Sequence, residues 1–175
     1  MQNKLKGRIL SAVSAAALAV TAMGSFSAAL PTNAEGLTGL DAKGITSKMI
    51  IGWNLGNTLD SSGTGLSSSA APKKFATAWG NPEPTAEQVQ AIKDGGFNTI
   101  RIPTTWYEHL EWDKDSQMYV VNEQWMDYVK QTVDYAYERD MFVILNIHHE
   151  NFINVKQFNE DTYKDASQKM KDIWT

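Results

Sequence analysis

The chain has 175 residues, 42% hydrophobic and 21% charged, with six Trp and no Cys. Such a composition belongs to globular domains and excludes wholesale disorder, and the length suggests one domain at most. A formal charge of −4 without any basic stripe excludes a nucleic-acid surface, and the lack of Cys excludes disulfides and thiolate chemistry.

Lys4, Lys6 and Arg8 precede an Ala-rich apolar stretch from Ile9 to Met23, then Pro31 and the small-residue site Thr32-Asn33-Ala34. This pattern predicts a secretory signal peptide over 1–34, cleaved after Ala34 or, alternatively, Ala29. A membrane anchor is the competing reading, but the stretch falls short of the ~20 residues that span a bilayer and carries several Ser and Thr. Removing it leaves 13 basic against 20 acidic residues over 35–175. The mature protein is expected outside the cell, with no membrane partner, its stability resting on the core alone.

A short helix is expected near Ile45–Met49, running into a strand over Met49–Leu55. Ser61–Ala71, rich in Ser, Gly and Ala, reads as a surface loop, either facing a substrate or a plain insertion. Thr85-Ala86-Glu87-Gln88 fits a capping box and opens a helix with Val89 and Ile92 on its apolar stripe, stopped by Gly95-Gly96. Phe97–Pro103 is the next strand, and Pro103, which cannot donate to a ladder, marks its end. Asn122 caps a helix with Trp125, Met126, Val129, Val133 and Ala136 on one face. Met141–Ile147 is apolar without alternation, which predicts a parallel strand buried on both sides. A last helix begins near Asp161 with Tyr163, Ala166, Met170, Ile173 and Trp174 on one side. Strand and helix alternate three times, the mark of a parallel α/β protein.

In such folds functional groups gather at the carboxyl ends of the strands. Those ends carry Asn54, Asn57 and Asp60, then Arg101, then His148, His149 and Glu150. Arg101 sits between Ile100 and Ile102, so it is either half of a core ion pair or a group aimed into a polar site beside an acid it keeps ionised. His148 and His149 are adjacent on a strand, which points their side chains to opposite faces and argues against one metal gripped by both. A neutral imidazole donating to a sugar hydroxyl or a carboxylate fits better. Asn54 and Asn57 either satisfy loop backbone or meet a ligand. Trp53, Trp79 and Trp106 are either core residues or platforms for a sugar's C–H face, and Trp79, in Trp79-Gly80-Asn81-Pro82, is the best placed for stacking. Neither a phosphate-binding Gly-rich loop nor a Gly-x-Ser-x-Gly elbow is present in the sequence.

Four segments in order, Gly52-Trp53-Asn54-Leu55-Gly56-Asn57-Thr58-Leu59-Asp60, Trp79-Gly80-Asn81-Pro82, Phe97-Asn98-Thr99-Ile100-Arg101-Ile102-Pro103 and Leu145-Asn146-Ile147-His148-His149-Glu150, resemble glycoside hydrolase family 5, most closely its endoglucanase group. The resemblance covers 45–175. It implies a (β/α)8 barrel, of which 35–175 would hold the first three βα units, and endo-hydrolysis of β-1,4-glucan with retention of configuration. Arg101 resembles the family's strand-two arginine, which hydrogen-bonds the nucleophile carboxylate. His148 resembles the strand-three histidine near the −1 sugar and His149 its less uniform neighbour. Trp53 to Asp60 resemble the strand-one segment lining the minus subsites.

The family's acid/base Glu follows an Asn at the end of strand four and its nucleophile ends strand seven; neither motif is in this sequence. Asp60, Glu108 and Glu150 have no such role in the family. The implied catalytic residues therefore lie beyond Thr175, and the chain alone is expected to be inactive. No cofactor and no metal are implied. A β-glucan polysaccharide is the implied partner, and the family leaves room for a carbohydrate-binding module or cellulosome attachment after Thr175. The rival readings are the same barrel acting on xyloglucan, lichenan or β-mannan, a non-catalytic glucan-binding fragment using Trp79 and Trp53, and a metal hydrolase built on His148, His149 and Glu150.

Overall fold

The structure, a computed structural model, describes residues 39–175, so the predicted signal peptide over 1–34 lies outside the described residues. The first helix, α1, spans Ala42–Thr46, because Asp41 accepts from the Gly44 N–H at 2.7 Å and so sets the start earlier than expected. The first strand, β1, is only Gly52–Asn54. Ile50 and Ile51 were expected within it, but their N–H groups donate to the side-chain oxygen of Asn98 instead of joining a ladder.

Helix α2, Pro72–Ala76, follows the Ser/Gly-rich loop with Pro at its first position, and α3, Ala86–Asp94, carries the full Thr85–Gln88 capping box. Gly96, at φ +92°, supplies the left-handed turn out of α3 into strand β2, Thr99–Thr104. A hairpin comes next, β3 (Leu110–Asp113) against β4 (Met118–Val121), antiparallel. Helix α4, Glu123–Tyr137, leads to strand β5, Phe142–Ile147, and α5, Glu160–Ile173, closes the chain.

The strands form a parallel sheet in the order β1-β2-β5, with β2 central. Its register pairs Asn54 with Arg101 and Arg101 with Ile144, which puts those three side chains on one face. The opposite face carries Ile100 and Ile102, fully buried with Leu59, Phe75, Trp106, Trp125 and Met141 in the core. Burial of each such side chain stabilises the fold by roughly 1.5–3 kcal/mol.

Three burial expectations fail. Strand β5 is not buried on both sides: Ile144, on the Arg101 face, is 41% exposed, because a strand at the sheet's edge has neither a second neighbour nor, among the described residues, a cover on that face. On α5, Tyr163, Met170 and Trp174 are exposed while Ala166, Asp172 and Ile173 are buried. The hairpin sets that face, because the Asp172 carboxylate accepts the Tyr119 N–H at 2.8 Å and Asp165 accepts from the Tyr119 hydroxyl at 3.2 Å. On α4, likewise, Thr132 takes the buried place expected of Met126.

Candidate functional site

At the carboxyl ends of β1, β2 and β5 the register brings three polar side chains together. Arg101 projects from the middle of β2, and its guanidinium donates to the Asn54 side-chain oxygen on one side and to His148 Nδ1, at 3.3 Å, on the other. No carboxylate pairs with Arg101 among the described residues, so the core ion pair weighed from the sequence is replaced by an amide and an imidazole.

Donation into Nδ1 leaves the proton of a neutral His148 on Nε2, which faces the Asp60 carboxylate at 4.0 Å. Burial, then His149, then Arg101 hold the His148 imidazole below its ordinary range, with Asp60 opposing. The ring is therefore neutral near pH 7 and acts as a donor. Asp60 is 4% exposed; its Oδ1 accepts the Thr58 N–H at 2.8 Å and its backbone oxygen accepts from the Thr105 hydroxyl.

The expected divergence of His148 and His149 is not what the structure holds. Their ring centroids lie 4.1 Å apart, both rings exposed. Strand pairing stops at Ile147 and the last link is the His148 N–H to Thr104 oxygen bond, so pleat alternation no longer governs position 149. His149 instead meets Trp79 edge to face at 5.4 Å, and Trp79 keeps 40% of its surface open.

Asn57 is a turn residue at φ +57°, exposed beyond β1. Trp53 faces the helix side against Phe97, and Trp106 is a core residue at 1% exposure. Of the aromatic candidates, Trp79 alone flanks the cluster. It is held there by Asn81, whose amide donates to the Gly56 oxygen at 2.8 Å.

Asp60, His148 and His149 each offer a ligand atom within 4.8 Å of the others. As a cation site the trio is poor: the His148 nitrogen facing Asp60 carries a proton, and the Arg101 charge stands beside it. Glu150, the third member of the metal set considered from the sequence, is turned away. Its Oε1 accepts the Trp106 N–H at 2.7 Å and its Oε2 the Tyr107 N–H at 2.9 Å. Burial pushes this carboxyl up to about 7, partly offset by those two bonds and reinforced by Glu108.

Sequence reasoning passed over Tyr107 and Asn151, which with Ser62, His148, His149 and Glu150 line a cavity of about 400 Å³ beside the cluster. It also passed over the tie between loops made by Glu108, whose Oε1 accepts the Gly63 N–H at 3.1 Å. Only a separation of 45 residues in the chain joins that pair, and no local pattern signals it.

The family model for cellulase (glycosyl hydrolase family 5) matches residues 59–175. Endoglucanase A of Clostridium longisporum is 41% identical over 145 residues, covering 83% of this chain and 27% of that protein. Among solved structures, a broad specificity endoglucanase from Clostridium longisporum superimposes with a TM-score of 0.68 at 43% identity, over 77% of this chain and 37% of that one. A second, from Ruminococcus champanellensis with bound cellotriose, gives 0.68 at 36% identity, over 77% and 38%. The chain thus spans well under half the length of these relatives.

Proposed function

Because this chain belongs to the cellulase family, glycosyl hydrolase family 5, we propose that its strand-end cluster lines the glucan groove of a secreted, retaining endo-β-1,4-glucanase. Its three parallel βα units are part of that family's (β/α)8 barrel. The observation that carries the reading is the relay Asn54–Arg101–His148–Asp60 across the three strand ends, with Trp79 standing open over His149. A neutral imidazole N–H and an exposed indole suit a ligand of hydroxyls and apolar C–H faces. The cellotriose bound to the Ruminococcus champanellensis enzyme supports a gluco-oligosaccharide as that ligand.

Retaining hydrolysis needs a proton-donating and an attacking carboxyl about 5–5.5 Å apart. Glu150 has both oxygens engaged by backbone, Asp60 is buried against Thr58, and Glu108 is tied to Gly63. The family resemblance gives none of the three either role, so the pair is assigned to strands of the barrel outside this chain, and Arg101 is assigned the role of keeping the nucleophile ionised. The chain by itself is then without turnover.

The test is the protein expressed from its complete gene on mixed-linkage β-glucan, xyloglucan and β-mannan. The reading expects a rapid viscosity fall on β-glucan and the β-anomer as first product by proton NMR. A first-formed α-anomer, or cleavage of mannan alone, would sink it. Export is checked by amino-terminal sequencing of protein from the medium, where a start after Ala34 is expected.

A further inference from the structure

We infer that Glu150 is a positioning residue, whose carboxylate, gripped by the consecutive N–H groups of Trp106 and Tyr107, fixes the turn that aims the His148 and His149 rings into the groove. The inference rests on the glucanase reading only for its consequence for turnover; its geometry stands apart from it.

Glu150 directly follows the histidine pair and is 9% exposed, yet it sends neither oxygen into the cavity it borders. A group so placed acts through others. Past Ile147, among the described residues, the sheet holds the chain through the His148 N–H bond to Thr104 alone. Without a second anchor, residues 148–150 would be free to swing, and His148 would lose its place between Arg101 and Asp60. Glu150 is that anchor, binding the exit of β5 to the exit of β2.

The anchor reaches a third loop. The Tyr107 hydroxyl donates to Glu108 Oε1, and the same oxygen accepts the Gly63 N–H, so the Ser/Gly-rich loop is tied to the backbone Glu150 holds. All three strand exits meet at Trp106–Glu108. The chemistry requires a carboxylate: two adjacent donors converge on two acceptor oxygens, whereas an amide of equal size offers one acceptor and turns a donor against a donor. This separates positioning from space filling, since Glu150→Gln conserves volume and fails only the first role.

The experiment uses protein labelled with ¹⁵N in its three histidines, which report separately. His109, buried at 3% exposure and stacked on Trp125, reports that the fold is intact. His148 reports its tautomer and titration under the influence of Arg101, His149 and Asp60. In Glu150→Gln, His109 should stay as it is while the His148 ring loses its single-tautomer signal and titrates upward by roughly half a unit or more. In the full-length enzyme kcat should fall about tenfold or more at little change in KM. Unchanged His148 signals in a folded Glu150→Gln protein overturn the inference, whatever the activity. If that variant loses the His109 signal, the unmodified protein decides. The Trp106 and Tyr107 amides follow the Glu150 proton, with Glu108 the other charge acting on it. The His148 ring must then share their inflection, and its absence there overturns the inference equally.

Discussion

Arg101 donates a guanidinium N–H to Nδ1 of His148 at 3.3 Å across the seam between β2 and β5. That one contact sets the tautomer of the ring and turns its Nε2–H toward Asp60 and the open side of the sheet, while burial, then His149, then Arg101 keep the ring neutral. The opposite arm of the same guanidinium is held by Asn54, so the three strand ends share one planar donor.

A planar fork cannot be replaced by a point charge. Arg101→Lys is expected to fold, because the side chain is only partly buried, but to reach either Asn54 or His148 and not both. In the full enzyme, kcat should drop on the order of 10²-fold through misplacement of the ring. Histidine ¹⁵N spectra should show mixed tautomers at His148. Wild-type turnover and a single tautomer in this variant would refute the relay.

Gly56 lies so close to the Asn54 amide that an added Cβ would stand 2.6 Å from its nitrogen. Gly56→Ala must displace Asn54 from Arg101 or shift the loop, at a cost of about 1–3 kcal/mol. Chemical denaturation should show the loss, and weaker binding of cello-oligosaccharides should accompany it. Unaltered stability and binding would mean that the Asn54 amide is free to move.

His109 and Glu150 give acid stability opposite slopes. Burial pushes His109 down to about 4, so the folded protein leaves it neutral while the unfolded chain protonates it below 6.5. Its contribution, up to about 3 kcal/mol, is lost as pH falls from 6.5 towards 4. Glu150, raised from 4.5 to about 7, holds its proton longer in the folded state, so its contribution grows as pH falls from 7 to 4.5. The two offset each other between about 4.5 and 6.5. Urea midpoints of Glu150→Gln should therefore fall steeply with acid, and those of His109→Phe should rise. Profiles parallel to the parent's would show that neither group is linked to folding.

Trp79→Ala removes an exposed ring whose aromatic contact is His149. Stability should change by less than about 0.5 kcal/mol, as for a surface position. Affinity for cellotetraose should weaken by about 1 kcal/mol, roughly fivefold in Kd. Calorimetry on the pair of proteins checks this, and equal affinities would remove Trp79 from the site.

Much of the scaffold was legible because its signals are local. Thr85 and Gln88 announce their capping box, Asn122 its helix, and the apolar run before His148 its strand. The polar strand ends were legible for the same reason. The hairpin over Leu110–Val121 was not read, since four-residue strands with Trp112 and Val120 outward carry too little alternation, and the turn depends on Asp113 accepting from Ser116 and Gln117 adopting φ +56°. That hairpin then decides which side of α5 is buried, so the apolar stripe read from Tyr163, Met170 and Trp174 misled. The histidine pair misled through a boundary error of one residue: alternation holds to His148 and ends there. The service of Glu150 to backbone 44 residues away had no sequence signal at all.

If the Arg101–His148 cluster, with His149 and Trp79, receives a β-glucan chain, a titration of the ¹⁵N-histidine-labelled protein with cellotetraose must register it. Saturable shifts of the His148 and His149 rings with one common Kd are expected, while His109, buried in the core against Trp125, stays still. Binding that leaves both exposed rings unmoved, or no binding at millimolar sugar, would contradict it.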